Sequence, residues 1–186
     1  LGENPKSVYN DRDETPITRM ATAAMIREGL AKAQRYQQEL DFAESDPDEH
    51  MPDYDAKSEA LLPLLERDVK AHFHCHRADD ICTAIRIAKE FNLDYVIIHG
   101  TEGHLIADIL AEENAPVIAG PILCDRCKPE MQHLTISGPS IMQKAGVKLA
   151  LCTDHPVIPI QYLPTTAALA VKGGMQREDA LYAITA

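Results

Sequence analysis

The chain has 186 residues, with 18 Lys+Arg against 29 Asp+Glu for a formal net charge of -11, and 45% of its residues are hydrophobic. That length holds one full core, and the acidic balance argues against nucleic acid or an anionic membrane as partner. No apolar run approaches the roughly 20 residues that span a bilayer, so a cytoplasmic protein is expected.

The five cysteines, Cys75, Cys82, Cys124, Cys127 and Cys152, are odd in number and scattered. They suit a reducing compartment better than a disulfide framework. Cys124-x-x-Cys127 with His133 nearby invites a zinc-knuckle reading, but a lone CxxC lacks the second ligand pair such a site needs. The chain begins at Leu1 and ends at Ala186 inside a helical pattern, so both ends read as cuts and the chain as one domain or part of one.

In chain order, Leu1 to Thr18 carries Gly2, Pro5, Asn10 and Pro16 and reads as a loop. From Arg19 to about Leu40, Met20, Ala23, Ala24, Ile26, Leu30, Ala33 and Tyr36 recur mostly at three- and four-residue intervals, which predicts one long helix. The acidic stretch 41–57, with Asp41, Glu44, Asp46, Asp48, Glu49, Asp53 and Asp55 beside Pro47 and Pro52, predicts an exposed connection. It lacks the glycine and terminal glutamate of a calcium loop. A short helix is expected from Ser58 to Arg67, with Pro63 near its first turn.

Next, Val69, Ala71, Phe73 and Cys75 alternate with Lys70, His72, His74 and His76. Period two predicts a strand with three imidazoles on one face. Asp79 or Asp80 then caps a helix with an apolar stripe of Ile81, Ala84, Ile85, Ala88 and Phe91. Tyr95 to Ile98 reads as a buried strand ending in His99, and Pro116 to Gly120 as another. Ile141 to Gly146 predicts a helix closed by glycine at C′, and Val147 to Asp154 a last strand. Helices follow at Thr165 to Lys172 and from Arg177 to Ile184. Strands alternating with helices predict an α/β fold with a parallel sheet, open or closed into a barrel.

In such folds the C-terminal ends of the strands share one rim. One strand ends at His74/His76, the next at His99 and the last at Asp154. Two histidines and an aspartate form a nitrogen/oxygen set suited to zinc, iron or manganese. Asp154 is positioned to take a proton from an activated water. Each residue also has a plainer reading: His99 as a core histidine bonded to backbone, Asp154 as a turn cap, His72 as an interior ring.

The segments "HFHCHRADDI", "IIHGTEGH" and "LCTDHP" resemble the fifth, sixth and eighth strands of the amidohydrolase superfamily. "GENPK" (Gly2 to Lys6), "TRM" (Thr18 to Met20) and "REDAL" (Arg177 to Leu181) resemble its imidazolonepropionase-related bacterial branch. The resemblance implies a TIM-like (β/α)8 barrel of the metal-dependent hydrolase type, present as a single partial barrel domain over residues 1–186. The family's first-strand histidine pair and flanking β-sandwich are missing from the sequence.

By resemblance, His74 is the fifth-strand metal ligand, His99 the sixth-strand histidine, and Asp154 the aspartate that binds metal and shuttles protons. His99 and Asp154 would be catalytic, and His74, His99 and Asp154 would hold a divalent ion, zinc first, then iron or manganese. His76, Arg77, Glu102, His104 and His155 would line the substrate pocket, with Arg77 suited to a carboxylate. Glu3 is an additional candidate contact and Lys6 a candidate for carboxylation. The implied activity is hydrolysis of a C–N bond in a cyclic amide or related small molecule, by a homodimer. A deaminase on the same barrel, or a non-catalytic metal-binding scaffold, is the competing reading.

Overall fold

The computed structural model describes residues 1–46 and 48–185. Pro47, part of the expected acidic connection, and Ala186, the expected cut end, lie outside the described residues. The helices are α1 (Glu3–Asn10), α2 (Arg19–Ser45), α3 (Ala56–Glu59), α4 (Leu62–Leu65), α5 (Ala78–Glu90), α6 (Ala107–Glu112), α7 (Gly138–Lys144), α8 (Leu163–Lys172) and α9 (Arg177–Tyr182). The strands are β1 (Ala71–Cys75), β2 (Tyr95–His99), β3 (Val117–Ala119) and β4 (Leu149–Leu151). The chain forms two compact units: Leu1–Asn4 with His72–Ile85 and Tyr95–Ala186, and Pro5–Ala71 with Arg86–Asp94.

The second unit is mostly helical. Helix α1 lies where the sequence suggested a loop. Pro5 is its third residue, where a missing N–H has no intrahelical partner to lose. Thr18 caps α2, its hydroxyl accepting the Ala21 N–H at 3.0 Å, and Leu30, Ala33 and Tyr36 are buried along one face. Helix α2 continues to Ser45, past the expected end near Leu40, because Leu40 to Glu44 contains neither Gly nor Pro to stop it. The first residues of the 41–57 stretch are therefore helical. The helix expected over Ser58 to Arg67 is divided into α3 and α4. Pro63 has no N–H to return to the Glu59 carbonyl, so the backbone restarts at Leu62.

In the first unit the sheet order is β1-β2-β3-β4. Ile97 pairs in parallel with Val117, and His99 with Ala119; Val117 pairs with Leu149, and Ala119 with Leu151. Strand β1 keeps the expected alternation, with Phe73 and Cys75 buried and His72 and His74 exposed. Phe73 packs edge-on to Tyr95, ring centroids 6.3 Å apart. Ile81, Ala84, Ile97, Leu110, Val117 and Met142 form much of the core. Mixed α/β architecture around a parallel four-stranded sheet is compatible with part of an α/β barrel.

Two glycines shape this unit. Gly146 follows α7 at φ 98°, the C′ role its sequence position suggested. Gly120 sits at φ 141° just beyond β3, and a Cβ there would lie 2.1 Å from the Cys152 carbonyl oxygen. Only glycine lets the β3 and β4 ends approach so closely.

Candidate metal centre

Three imidazoles meet at the ends of β1 and β2. One ring nitrogen from each of His74, His76 and His99 lies within 4.8 Å of the other two. The His76 and His99 rings stack, centroids 4.6 Å apart and 8° from parallel, and His74 stands edge-on to both. His76 and His99 are buried, while His74 is exposed.

Alternation alone would have put His76 on the same face as His72 and His74. It falls one residue beyond the last residue of β1, and there its ring is buried. The chain then turns, fixed by the Glu102 N–H donating to the His76 carbonyl at 2.8 Å.

The outer hydrogen bonds set the ring tautomers. His99 Nδ1 is 2.6 Å from the Gly120 carbonyl oxygen. A carbonyl can only accept, so Nδ1 carries the proton and Nε2 offers its lone pair. His76 Nδ1 is 2.8 Å from Thr101 Oγ1, which frees its Nε2 in the same way when Nδ1 donates. That Nε2 faces His74 Nε2 at 3.2 Å. Two neutral acceptor nitrogens at that distance repel unless a proton or cation lies between them.

Partial desolvation among the packed rings and the neighbouring His99 push His74 down to about 4, and fuller burial beside the same ring pushes His76 to about 3. Near neutral pH both are unprotonated, the form in which imidazole binds a metal. Nearby Asp154 acts in the opposite sense on His74, favouring its charged form. The donor set therefore fits a divalent cation: converging nitrogen lone pairs, backed by hydrogen bonds that hold the rings.

His99, the last residue of β2, and Asp154, three residues beyond β4, have left-handed backbones, at φ 75° and 55°. Such a conformation costs a non-glycine residue about 1–3 kcal/mol and gathers at functional sites. Asp154 is exposed and does not belong to the 4.8 Å group of ligand atoms. His155, beside it, is also exposed.

Arg77 forks onto Asp79, with Nε and Nη2 donating to the two carboxylate oxygens at 2.9 Å each. Its guanidinium is thus already engaged by a carboxylate. Buried Glu102 accepts the Ala78 N–H at 2.9 Å and the His133 Nδ1–H at 2.7 Å. His104 Nδ1 donates to the Thr101 carbonyl at 3.0 Å. Glu3 and Lys6 lie on α1. Cys124 and Cys127 enter no cluster of metal-ligand type among the described residues, and all five cysteines are free.

Sequence reasoning did not find Thr101, the Gly120 carbonyl or buried Glu130, whose Oε1 is 3.8 Å from His76 Nε2. Glu130 sits in a single 3-10 turn after β3, where no periodic pattern marks it.

A crystal structure of an amidohydrolase from Thermotoga maritima MSB8 matches this chain at 43% identity and a TM-score of 0.95. The likeness supports the amidohydrolase family. The match covers all of this chain and 48% of that one, so the chain spans about half the length of its amidohydrolase relative. No protein-family model matches the chain, and no curated protein matches it. An amidohydrolase name beside a three-histidine cluster supports a hydrolase with a metal-binding site. No helix among the described residues is long and apolar enough to cross a membrane.

Proposed function

We propose that this chain is part of a metal-dependent amidohydrolase that hydrolyses the C–N bond of a cyclic amide or related small molecule. The observation that carries the reading is the convergence of the His74, His76 and His99 ring nitrogens within 4.8 Å, with the far nitrogens of His76 and His99 held by Thr101 and Gly120. A divalent ion held there, zinc first among zinc, iron and manganese, supplies Lewis acidity to a water and to the scissile carbonyl.

The chain's own residues do the rest. His74, His76 and His99 hold the ion. Asp154, near enough to His74 to bias its charge, takes the proton from the attacking water on a carboxylate oxygen and returns it to the leaving nitrogen. Glu102 holds His133 at the rim through its 2.7 Å hydrogen bond. Arg77, His104 and His155 surround the substrate, and Arg77 would exchange Asp79 for a substrate carboxylate. The imidazolonepropionase-related branch, the (β/α)8 barrel shared with chain beyond these residues, and a cytoplasmic homodimer belong to the same proposal.

The test is elemental analysis of this chain beside His76→Ala, with a panel of five- and six-membered cyclic amides presented to the complete protein and its Asp154→Asn variant. One equivalent of metal, lost in His76→Ala, together with turnover that falls about 10²–10⁴-fold in Asp154→Asn, is expected. Metal retained in full by His76→Ala would refute the site. Metal without any turnover would favour the scaffold reading instead.

A further inference from the structure

The Cys124-x-x-Cys127 pair takes no part in the histidine cluster. Both thiols are free, Cys127 exposed and Cys124 half-buried, in the connection between β3 and α7. The Cys124 thiol donates to the Pro121 carbonyl at 3.3 Å.

The backbone here is unusually unencumbered. Among the described residues, no N–H of residues 122–128 donates a hydrogen bond. The chain is tied down on either side: the Gly120 carbonyl holds His99 Nδ1, the Met131 N–H reaches the Lys128 carbonyl at 2.9 Å, and His133 reaches Glu102. Arg126, between the cysteines, is held through its long side chain, Nη2 donating to the Leu134 carbonyl at 2.8 Å. The segment can therefore change shape without breaking a ladder or a helix.

The spacing of the thiols suits closure. A β-turn brings residues i and i+3 within about 7 Å at Cα, and a disulfide spans about 4.4–6.8 Å. Burial first, then the neighbouring Cys127, pushes the Cys124 thiol up. Exposed Cys127 is thus the thiol that meets an oxidant, and Cys124 the one that resolves it. The segment also borders the histidines. Lys128 stands two positions before Glu130, whose Oε1 is 3.8 Å from His76 Nε2. After desolvation and the His99 ring, the Lys128 charge helps lower both His74 and His76.

We propose that Cys124 and Cys127 are a redox modification site, closing under a peroxide into a disulfide that reshapes residues 122–128 and moves Lys128 relative to His74 and His76. The Cys127 thiolate attacks a peroxide oxygen, the O–O bond breaks, and the hydroxide released leaves as water with the proton the thiol had given up. Cys127 is then a sulfenic acid. The Cys124 sulfur attacks the Cys127 sulfur, the S–O bond breaks, and hydroxide departs as water with the Cys124 proton. Two thiols and one peroxide become one disulfide and two waters, the thiols losing two electrons and the peroxide gaining them. None of these steps needs a metal at the histidines.

The experiment treats the intact protein with a small excess of hydrogen peroxide and maps its peptides by mass spectrometry. Cys124 and Cys127 are expected joined, two hydrogens lighter, and restored by dithiothreitol. Cys124→Ser, which keeps a donor for the Pro121 carbonyl, should stop at a Cys127 sulfenic acid that dimedone traps. Cys127→Ser should leave Cys124 a thiol for at least about 10-fold longer. With EDTA present, the ring resonances of His74 and His76 should move when the wild-type protein is oxidised and stay in place in Cys127→Ser.

Cys127 taken on to sulfinic acid in the wild type while Cys124 stays a thiol, or a bond from either cysteine to Cys152, would overturn the site. A Cys124–Cys127 disulfide that leaves the His74 and His76 resonances unmoved would overturn its reach to the histidines. Both readings come from the wild-type protein, so a variant that fails to fold does not decide the matter.

Discussion

Replacing Gly120 by alanine tests whether the close approach of β3 and β4 builds the histidine cluster. The new Cβ would lie 2.1 Å from the Cys152 carbonyl oxygen, against the 3.4 Å at which ordinary contact begins. Backbone must therefore move by roughly 1.3 Å, a displacement of the overpacked kind that costs about 1–3 kcal/mol. Holding a β-carbon at φ 141° adds about 1–3 kcal/mol of backbone strain. The sum predicts a loss of about 2–6 kcal/mol in urea unfolding followed by circular dichroism.

Gly146→Ala is the control, because its φ is 98° but nothing lies within 4 Å of the added carbon. It should show only the strain share. Because the Gly120 carbonyl holds His99 Nδ1, Gly120→Ala should also loosen metal binding, and Gly146→Ala should not. Equal unfolding losses in the two variants would refute the steric argument. Unchanged metal affinity in a folded Gly120→Ala would refute its link to the site.

Two further predictions concern groups away from the cluster's chemistry. Burial pushes the Cys75 thiol up to about 12 and the Cys152 thiol to about 11. At pH 8 each is thiolate in less than about one molecule in 500, so iodoacetamide should label exposed Cys127 first and leave Cys75 and Cys152 untouched until the chain unfolds. Peptide mass spectrometry reads this directly, and early labelling of Cys75 would contradict its burial. Asp55, bridged to Lys32 at 2.5 Å and accepting the Ser58 hydroxyl, has its carboxyl held well below the usual range, with the Lys32 bond the larger cause. The unfolded chain therefore takes up this proton first as pH falls, and the stability that Asp55 contributes, full above about pH 4–5, drains away below it. Asp55→Asn should flatten the acid limb of a stability–pH curve, and an unaltered limb would remove Asp55 as its source.

The parts of the fold that were legible in the sequence are those with strong periodicity. Alternation marked β1, the apolar run marked β2, and the three- and four-residue spacing marked most of α2 and α5. Helix α1 was hidden because Gly2 and Pro5 look like loop residues, and only its register shows Pro5 to be harmless. At the site, His74 and His99 were visible as candidate ligands at strand ends, and the structure brings their rings together. His76 was visible as a histidine, but its place in the cluster depends on a turn held by the Glu102 N–H, which no pattern records. Glu130 is 54 positions from His76 and Glu102 is 31 from His133. Pairings across such separations come from the fold's topology and leave no local signal.

His99 keeps a β-branch-free but bulky ring on a left-handed backbone that glycine or asparagine would occupy more comfortably. Aspartate visits that region more readily, so the strain at Asp154 is smaller. Exchanging His99 for glycine or asparagine is therefore expected to raise the stability of the fold while removing one of the three converging ring nitrogens. At this position stability and the donor set pull in opposite directions, and a chain that carries histidine here gives up some of the first to keep the second.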